Sequence, residues 1–535
     1  MKPNQLVKLS LFAAVLVAIA LAGACSRAPV HERRATGLPP AAPQGGEFEG
    51  LAVVNGKPYA DTYFQHYGVN PTVDTEEEPL STFSADVDTA SYSLARGYLQ
   101  RGHLPEEAAV RVEEFVNAFR YAYADPGEAP FAVQVEGFPS PNRKGYHVLK
   151  LGMRAREITA AARKPALLVF TVDVSGSMAM ENRLGLVKRS LALLLESLDE
   201  RDQVALVVYG TKARVVLEPT SAAQRQVILA AIESLEPEGS TNVQAGLALA
   251  YRMAAEAPAE LNRRVLLLSD GVANSGVTDG DRIFETVRAQ ASKGVALTAV
   301  GFGMGNYNDV LMERLAQRGD GQYAYVDRLS EARRLFVEQA TGTLQLVAKD
   351  VKLQVQFDSR VVARYRLLGY ENRMLRTEDF ANDRVDAGDL GAGHTVTALY
   401  EVKLRDGSAT SGAPLGTFRV RYKAPEGGES RLFESPLPQA ALRPEMSQAT
   451  GDAQLAFLVA QFAEKLRGSY WVRNVEWSGL VARYDALPAA TRARPEVAEL
   501  RELIDRARKA DARTDRFARE VPADAMDFDH VPVVR

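Results

Sequence analysis

Between about Lys164 and Leu344 the chain alternates short, nearly unbroken apolar runs with stretches of helical periodicity. The runs are Ala166–Val172, Val204–Tyr209, Val265–Leu268 and Val295–Val300. A strand with one wet face alternates polar and apolar residues, whereas a continuous apolar run of this length reads as a strand covered on both faces. Between the runs, Leu184, Val187, Leu191, Leu194 and Leu198 recur at helical spacing, and so do Ile228, Ile232 and Leu235. Strands interleaved with helices predict an α/β domain over residues 164–344, built on a doubly wound, mostly parallel sheet. Such a sheet collects ligands at the carboxyl ends of its strands, where the strand order reverses.

Residues able to do chemistry gather at those ends. Asp173-Val-Ser175-Gly-Ser177-Met follows the first run, Gly239-Ser-Thr241-Asn242 stands in a loop ahead of a helix, and Ser269-Asp270-Gly271 follows the third run. The hydroxyls of Ser175, Ser177 and Thr241 are hard, neutral donors that suit Mg²⁺ or Mn²⁺ better than zinc. Asp173 and Asp270 supply charge, directly or through ordered water. With so few charged ligands a bound ion stays electrophilic and favours a further carboxylate, most simply from a protein partner. The plain alternative is that Asp173 and Ser175 only cap the next helix. The matching positions of Thr241 and Asp270 favour the metal.

In order, spacing and strand-end placement these segments resemble the metal-ion-dependent adhesion site of von Willebrand factor type A domains, over about 180 residues. The resemblance implies that family's Rossmann-like fold. It also implies Mg²⁺ or Mn²⁺ held by Asp173, Ser175, Ser177, Thr241 and Asp270, and a partner protein whose acidic side chain completes the site.

Other motifs point nowhere further. Gly301-Phe-Gly303-Met-Gly305 has its third glycine one place early for a dinucleotide fingerprint and follows a late strand, so it reads as a tight strand exit. Arg318-Gly319-Asp320 reads as a turn into a last strand, Gln322–Val326. No G-x-x-x-x-G-K-[ST] loop or G-x-S-x-G elbow occurs, and none of the six histidines lies in the α/β segment to serve a serine. A non-enzymatic protein is therefore expected.

The chain has 535 residues, too many for one core, with 64 Lys+Arg against 68 Asp+Glu. That balance excludes a nucleic-acid binder that relies on overall basicity. The lone cysteine excludes an internal disulfide framework and any multi-cysteine metal cluster. Its position is informative. Two lysines and an apolar run, Leu9–Ala24, precede Cys25, and the junction reads Leu21-Ala-Gly-Ala-Cys25. This reads as a secretory signal over residues 1–24. It resembles a bacterial lipobox, with Ala22 where Leu is commoner. The resemblance implies lipidation of Cys25, a membrane attachment through the N-terminal lipid, and a cell-envelope location. Ser26 rather than Asp after the Cys favours the outer over the inner membrane. Residues 25–46, rich in Pro, Gly and Ala, read as a tether.

Strand-like runs also lie on both sides of the α/β segment. Phe131–Glu136 and Tyr146–Met153 read as a hairpin within residues 47–160, and Val351–Phe357, Val396–Leu404 and Phe418–Tyr422 make residues 345–440 β-rich. A single β module built from both flanks, with the α/β domain inserted, is expected. Asp86 and Asp88 are spaced like a metal pair, but Asp88 or Thr89 starting a helix is the commoner role. Residues 447–516 carry helical stripes (Leu455, Leu458, Phe462, Leu466; Val497, Leu500, Ile504, Ala507), with Tyr470, Trp471 and Trp477 expected in the core. Residues 517–535 read as a tail. Glu78–Tyr92 and Arg366–Arg373 resemble the flanks of a bacterial lipoprotein family with a von Willebrand type A domain, a domain-associated N-terminal region and a C-terminal region of unassigned function. The expected function is metal-dependent capture of a protein partner. The alternative is a structural envelope lipoprotein whose metal only rigidifies the domain.

Overall fold

The computed structural model describes residues 62–85, 88–159, 161–271, 280–304, 307–408 and 412–515. The expected signal, Cys25, the tether, Asp86, Gly305 and the tail lie outside them. Among the described residues no helix is long and apolar enough to cross a membrane.

The central sheet contains β1 (Ala166–Asp173), β2 (Gln203–Tyr209), β3 (Ala213–Ser221), β4 (Asn262–Ser269), β5 (Val295–Phe302) and β6 (Tyr323–Val326). Its spatial order is β3-β2-β1-β4-β5-β6. All neighbouring pairs are parallel except β2 with β3. The sequence pattern did not point to β3, whose run is broken by Arg214, Glu218 and Pro219 and which is largely half-exposed. Those are residues an edge strand tolerates and a central one does not.

Both faces of the sheet are covered, which explains the unbroken apolar runs. Leu168, Phe170 and Val172 of β1 face one core, with Leu184, Val187 and Leu191 of α1 (Arg183–Glu196) and Ile228 and Ile232 of α2 (Arg225–Glu233). Leu167 and Val169 face the other, with α3 (Val243–Glu256), α4 (Gly280–Ala291) and α5 (Asp309–Arg318). The chain runs outward from β1 to β2 and β3, then returns to lay β4 on the opposite side of β1. The strand order therefore reverses between β1 and β4, and the carboxyl ends of these two strands carry Asp173 and Asp270.

The flanks build one module around the inserted domain. Phe131–Pro139 pairs with Tyr146–Ala155, which pairs with Thr395–Leu404, which in turn pairs with Val362–Leu368. Leu80–Ser84 pairs with Leu346–Phe357, whose other partners are Gly388–Gly391 and Gly416–Ala424. These two sheets share a core that includes Phe83, Leu149, Leu151, Leu353, Val355 and Tyr400. The helices Gly451–Leu466, Trp477–Ala486 and Pro495–Ala510 join Ala90–Gln100 and Val112–Asn117 in a further core, closed by Phe138, Val148 and Leu399. Tyr470 and Trp471 are buried, as expected, with the guanidinium carbons of Arg143 and Arg366 4.5 and 4.7 Å from the Trp471 ring centroid.

Helix Ala90–Gln100 is the seam. Ala90, Leu94 and Tyr98 belong to the α/β core, whereas Tyr92, Ala95 and Leu99 belong to the helical one. Buried ion pairs fasten the seam, among them Arg96 Nε to Asp327 Oδ2 at 2.8 Å and Arg111 Nη1 to Asp309 Oδ2 at 2.7 Å. This helix starts where expected, with Thr89 at the N-cap position, but the Thr89 side chain makes no capping bond. Asp88 accepts from the Tyr323 amide (2.9 Å) and Arg373 Nη2 (3.1 Å), while the Thr89 hydroxyl accepts from Arg334 Nη2 (2.7 Å). Because the helix start is buried against the domain, these side chains serve the seam instead.

Candidate metal centre

Asp173 closes β1, is fully buried, and is fixed from two directions. Its Oδ1 accepts from the Ser175 amide at 2.8 Å, and its Oδ2 accepts from the hydroxyl of Ser269, the last residue of β4, at 2.9 Å. The first bond is the local turn that an Asp makes two residues ahead of itself. The second ties the carboxylate across the switch point. Burial pushes the Asp173 carboxyl up to about 6, opposed by hydrogen bonds from Ser175 and Ser269.

Ser175 stands at the N-cap position of the 3₁₀ turn Gly176–Asn182, yet its hydroxyl makes no capping bond. It lies 3.1 Å from the Ser177 hydroxyl. Capping therefore does not explain the two serines. Ser175 is buried and Ser177 half-buried, while Gly176, Ala179 and Met180 on the same turn are exposed, so the site has one face open to solvent.

The loop bearing Thr241 is laid alongside by backbone bonds. The Gly176 amide donates to Gly239 O at 3.1 Å and the Asn242 amide to Gly210 O at 3.0 Å. The approach leaves no room for a side chain at position 210, where a Cβ would lie 2.4 Å from Glu238 O. Asn242, rather than Thr241, caps α3, its side chain accepting from the Ala245 amide at 3.0 Å. Thr241 is buried at the start of that turn.

Asp270 follows β4 directly and is fully buried. Its Oδ2 accepts from Arg183 Nη1 at 2.8 Å, but its Oδ1 has no hydrogen-bond partner among the described residues. A buried carboxylate oxygen without a donor is expensive, and a cation is one way to satisfy it. That oxygen, three hydroxyls and a second carboxylate are donors of the type a hard divalent ion takes. Among the described residues no group of three or more His, Cys, Asp or Glu side chains is placed to hold a metal.

Three residues at the site were not singled out by the sequence. Ser269 orients Asp173. Tyr209, fully buried at the end of β2, has a phenol held well above its usual range by burial and then by the charge of Asp173. Arg183, at the start of α1, is buried between Asp270 and the Met304 carbonyl, to which Nη2 donates. Ser269 lies inside a motif already marked, so it could have been found. Arg183 could not, because only the closing of the switch point brings it to Asp270. The glycines at the end of β5 also gain a reason. A Cβ on Gly303, whose φ is +76°, would lie 2.2 Å from Arg183 Nε, and one on Gly301 would lie 2.0 Å from the Tyr307 hydroxyl. In the Arg318-Gly319-Asp320 segment, Gly319 ends α5 and Asp320 takes φ +48° in the turn into β6.

Residues 168–272 match the family von Willebrand factor type A domain, residues 58–150 match von Willebrand factor, and residues 342–510 match Uncharacterized protein YfbK, C-terminal. The chain is 39% identical over 440 residues to the uncharacterized protein YfbK of Escherichia coli, covering 77% of this chain and 76% of that one. It is 26% identical over 324 residues to the uncharacterized protein sll0103 of Synechocystis, covering 60% of this chain and 75% of that one. The solved von Willebrand factor type A structure from Catenulispora acidiphila aligns with 72% of this chain and 91% of its own, at 16% identity and a TM-score of 0.42. Such domains commonly mediate protein–protein interactions and often bind a metal at a metal-ion-dependent adhesion site. The chain belongs to the von Willebrand factor type A domain family that includes the uncharacterized protein YfbK of Escherichia coli.

Proposed function

We propose that this is a non-enzymatic, lipid-anchored envelope protein that captures a protein partner through a divalent cation on its α/β domain. Asp173, Ser175, Ser177, Thr241 and Asp270 would hold Mg²⁺ or Mn²⁺. When bound, the cation supplies a Lewis-acidic point for a carboxylate oxygen from outside the chain. The chain's own residues keep that point in place: Ser269 fixes Asp173, and the bond from the Gly176 amide to Gly239 O joins the serine turn to the threonine loop. The observation that carries the reading is the convergence of these segments at the switch point, with Asp270 Oδ1 buried and unpartnered among the described residues. The proposed anchor is lipidated Cys25, with the outer membrane favoured on the strength of Ser26.

The test is capture from an envelope extract by the full chain, in Mg²⁺ and in EDTA. A partner retained in Mg²⁺, released by EDTA and not captured by Asp173→Ala is the expected result. Equal capture in both buffers would sink the proposal. A higher melting temperature in Mg²⁺ with no metal-dependent partner would favour the structural alternative.

A further inference from the structure

Arg183 brings the positive charge of a guanidinium to the site. It is buried, donates from Nη1 to Asp270 Oδ2 at 2.8 Å and from Nη2 to the Met304 carbonyl. The loop after β5 is shaped around it, because any side chain at Gly303 would collide with its Nε, Cδ and Cγ. This charge is therefore built into the site, one hydrogen bond from a candidate metal ligand.

Its consequence follows from counting charges. Asp173 and Asp270 together contribute −2, and Arg183 returns +1, so the cation meets a net −1. A divalent ion then leaves the site at +1 instead of neutral. In a buried setting such an excess is a strong preference for an anion. We infer that Arg183 is the positioning residue that sets this charge, weakening the cation alone and coupling its binding to that of an anionic carboxylate. The inference rests on the metal-site reading above and adds its regulation. By linkage, a carboxylate that binds the loaded site must tighten the metal by the same factor.

The experiment is Mn²⁺ titration of the full chain by calorimetry, in chloride and in acetate as the carboxylate probe, corrected for acetate's own affinity for Mn²⁺. The wild type is expected to bind Mn²⁺ several-fold more tightly in acetate. Arg183→Gln should bind Mn²⁺ about tenfold more tightly than wild type in chloride and show no acetate enhancement. Arg183→Lys, which keeps the charge, should stay near wild type in both, which a merely structural role would not predict. Equal Mn²⁺ affinity in Arg183→Gln and wild type, or equal behaviour of the Gln and Lys variants, overturns the inference. So does an acetate-independent wild type, an outcome that needs no variant to fold. A wild type that binds no Mn²⁺ overturns the metal-site reading itself, and the two failures are thereby separated.

Discussion

Asp389 accepts on Oδ1 from the Asp350 amide at 3.0 Å, while its Oδ2 is buried without a hydrogen-bond partner among the described residues. Burial first, and the neighbouring Asp320 charge second, raise its carboxyl from 3.8 to about 7. The folded state therefore holds this proton more tightly than the unfolded state. Its contribution is fully present below about pH 4 and is lost as pH rises through about 7. Asp389→Asn keeps an acceptor for the Asp350 amide and removes the charge. Chemical denaturation at pH 8 should find the variant about 1–2 kcal/mol more stable than wild type, with the difference shrinking towards pH 4. A variant less stable at pH 8 would contradict the assignment. Gly303→Ala is the opposite case, since its φ of +76° and the adjacent Arg183 leave no room for a Cβ. It should cost about 1–3 kcal/mol, read as a lower urea midpoint. At this scale the legible residues were those whose role depends on local spacing. Asp173, Ser175 and Ser177 lie within five residues and declare themselves. Arg183 and Asp270 meet only through the sheet, and nothing near Arg183 in the sequence announces its partner.

At the scale of elements, hydrophobic continuity was the reliable signal. β1, β2, β4 and β5 were legible because burial on both faces demands unbroken apolar runs. β3 was not, because an antiparallel edge strand accepts charge and proline. Helix Ala90–Gln100 shows a different limit. Its Ser91, Ser93 and Arg96 are polar residues of a kind that usually face water, yet all three are buried. Two cores claim the helix, and the polar residues find partners within them: the Ser91 hydroxyl donates to Ala109 O at 2.6 Å and Arg96 pairs with Asp327. Leu94→Ala on this helix should cost about 2–5 kcal/mol by the usual cavity term. Val227→Ala on the exposed side of α2 should change stability by about 0.5 kcal/mol or less, measured in the same urea series. Equal effects would mean that the seam is not a packed core.

For the whole molecule, the sequence suggested a module shared by both flanks, and strand pairing explains how the insertion is accommodated. The strand Leu346–Phe357 lies between Leu80–Ser84 and Gly416–Ala424, so residues far apart in sequence complete one sheet. What periodicity could not supply was the extent to which charge fastens the inserted domain to that module. Arg111 carries the Asp309 pair, and Arg373 reaches both Asp88 and Glu313 at 3.1 Å. Breaking one partner of a buried pair leaves the other stranded, so Asp309→Ala should lose about 3–5 kcal/mol of stability in urea denaturation. Residues 345–515 expressed alone should lack cooperative unfolding by circular dichroism, because their sheets miss Leu80–Ser84 and Tyr146–Ala155. A cooperative transition in that fragment would refute the shared module. The central claim, a divalent-cation site at the switch point, is tested most directly by Mn²⁺ calorimetry on the full chain beside Asp173→Ala, with circular dichroism confirming that both are folded. The account predicts one saturable site in the wild type and none in the variant. Equal binding in the two, or no binding in the wild type, would contradict it.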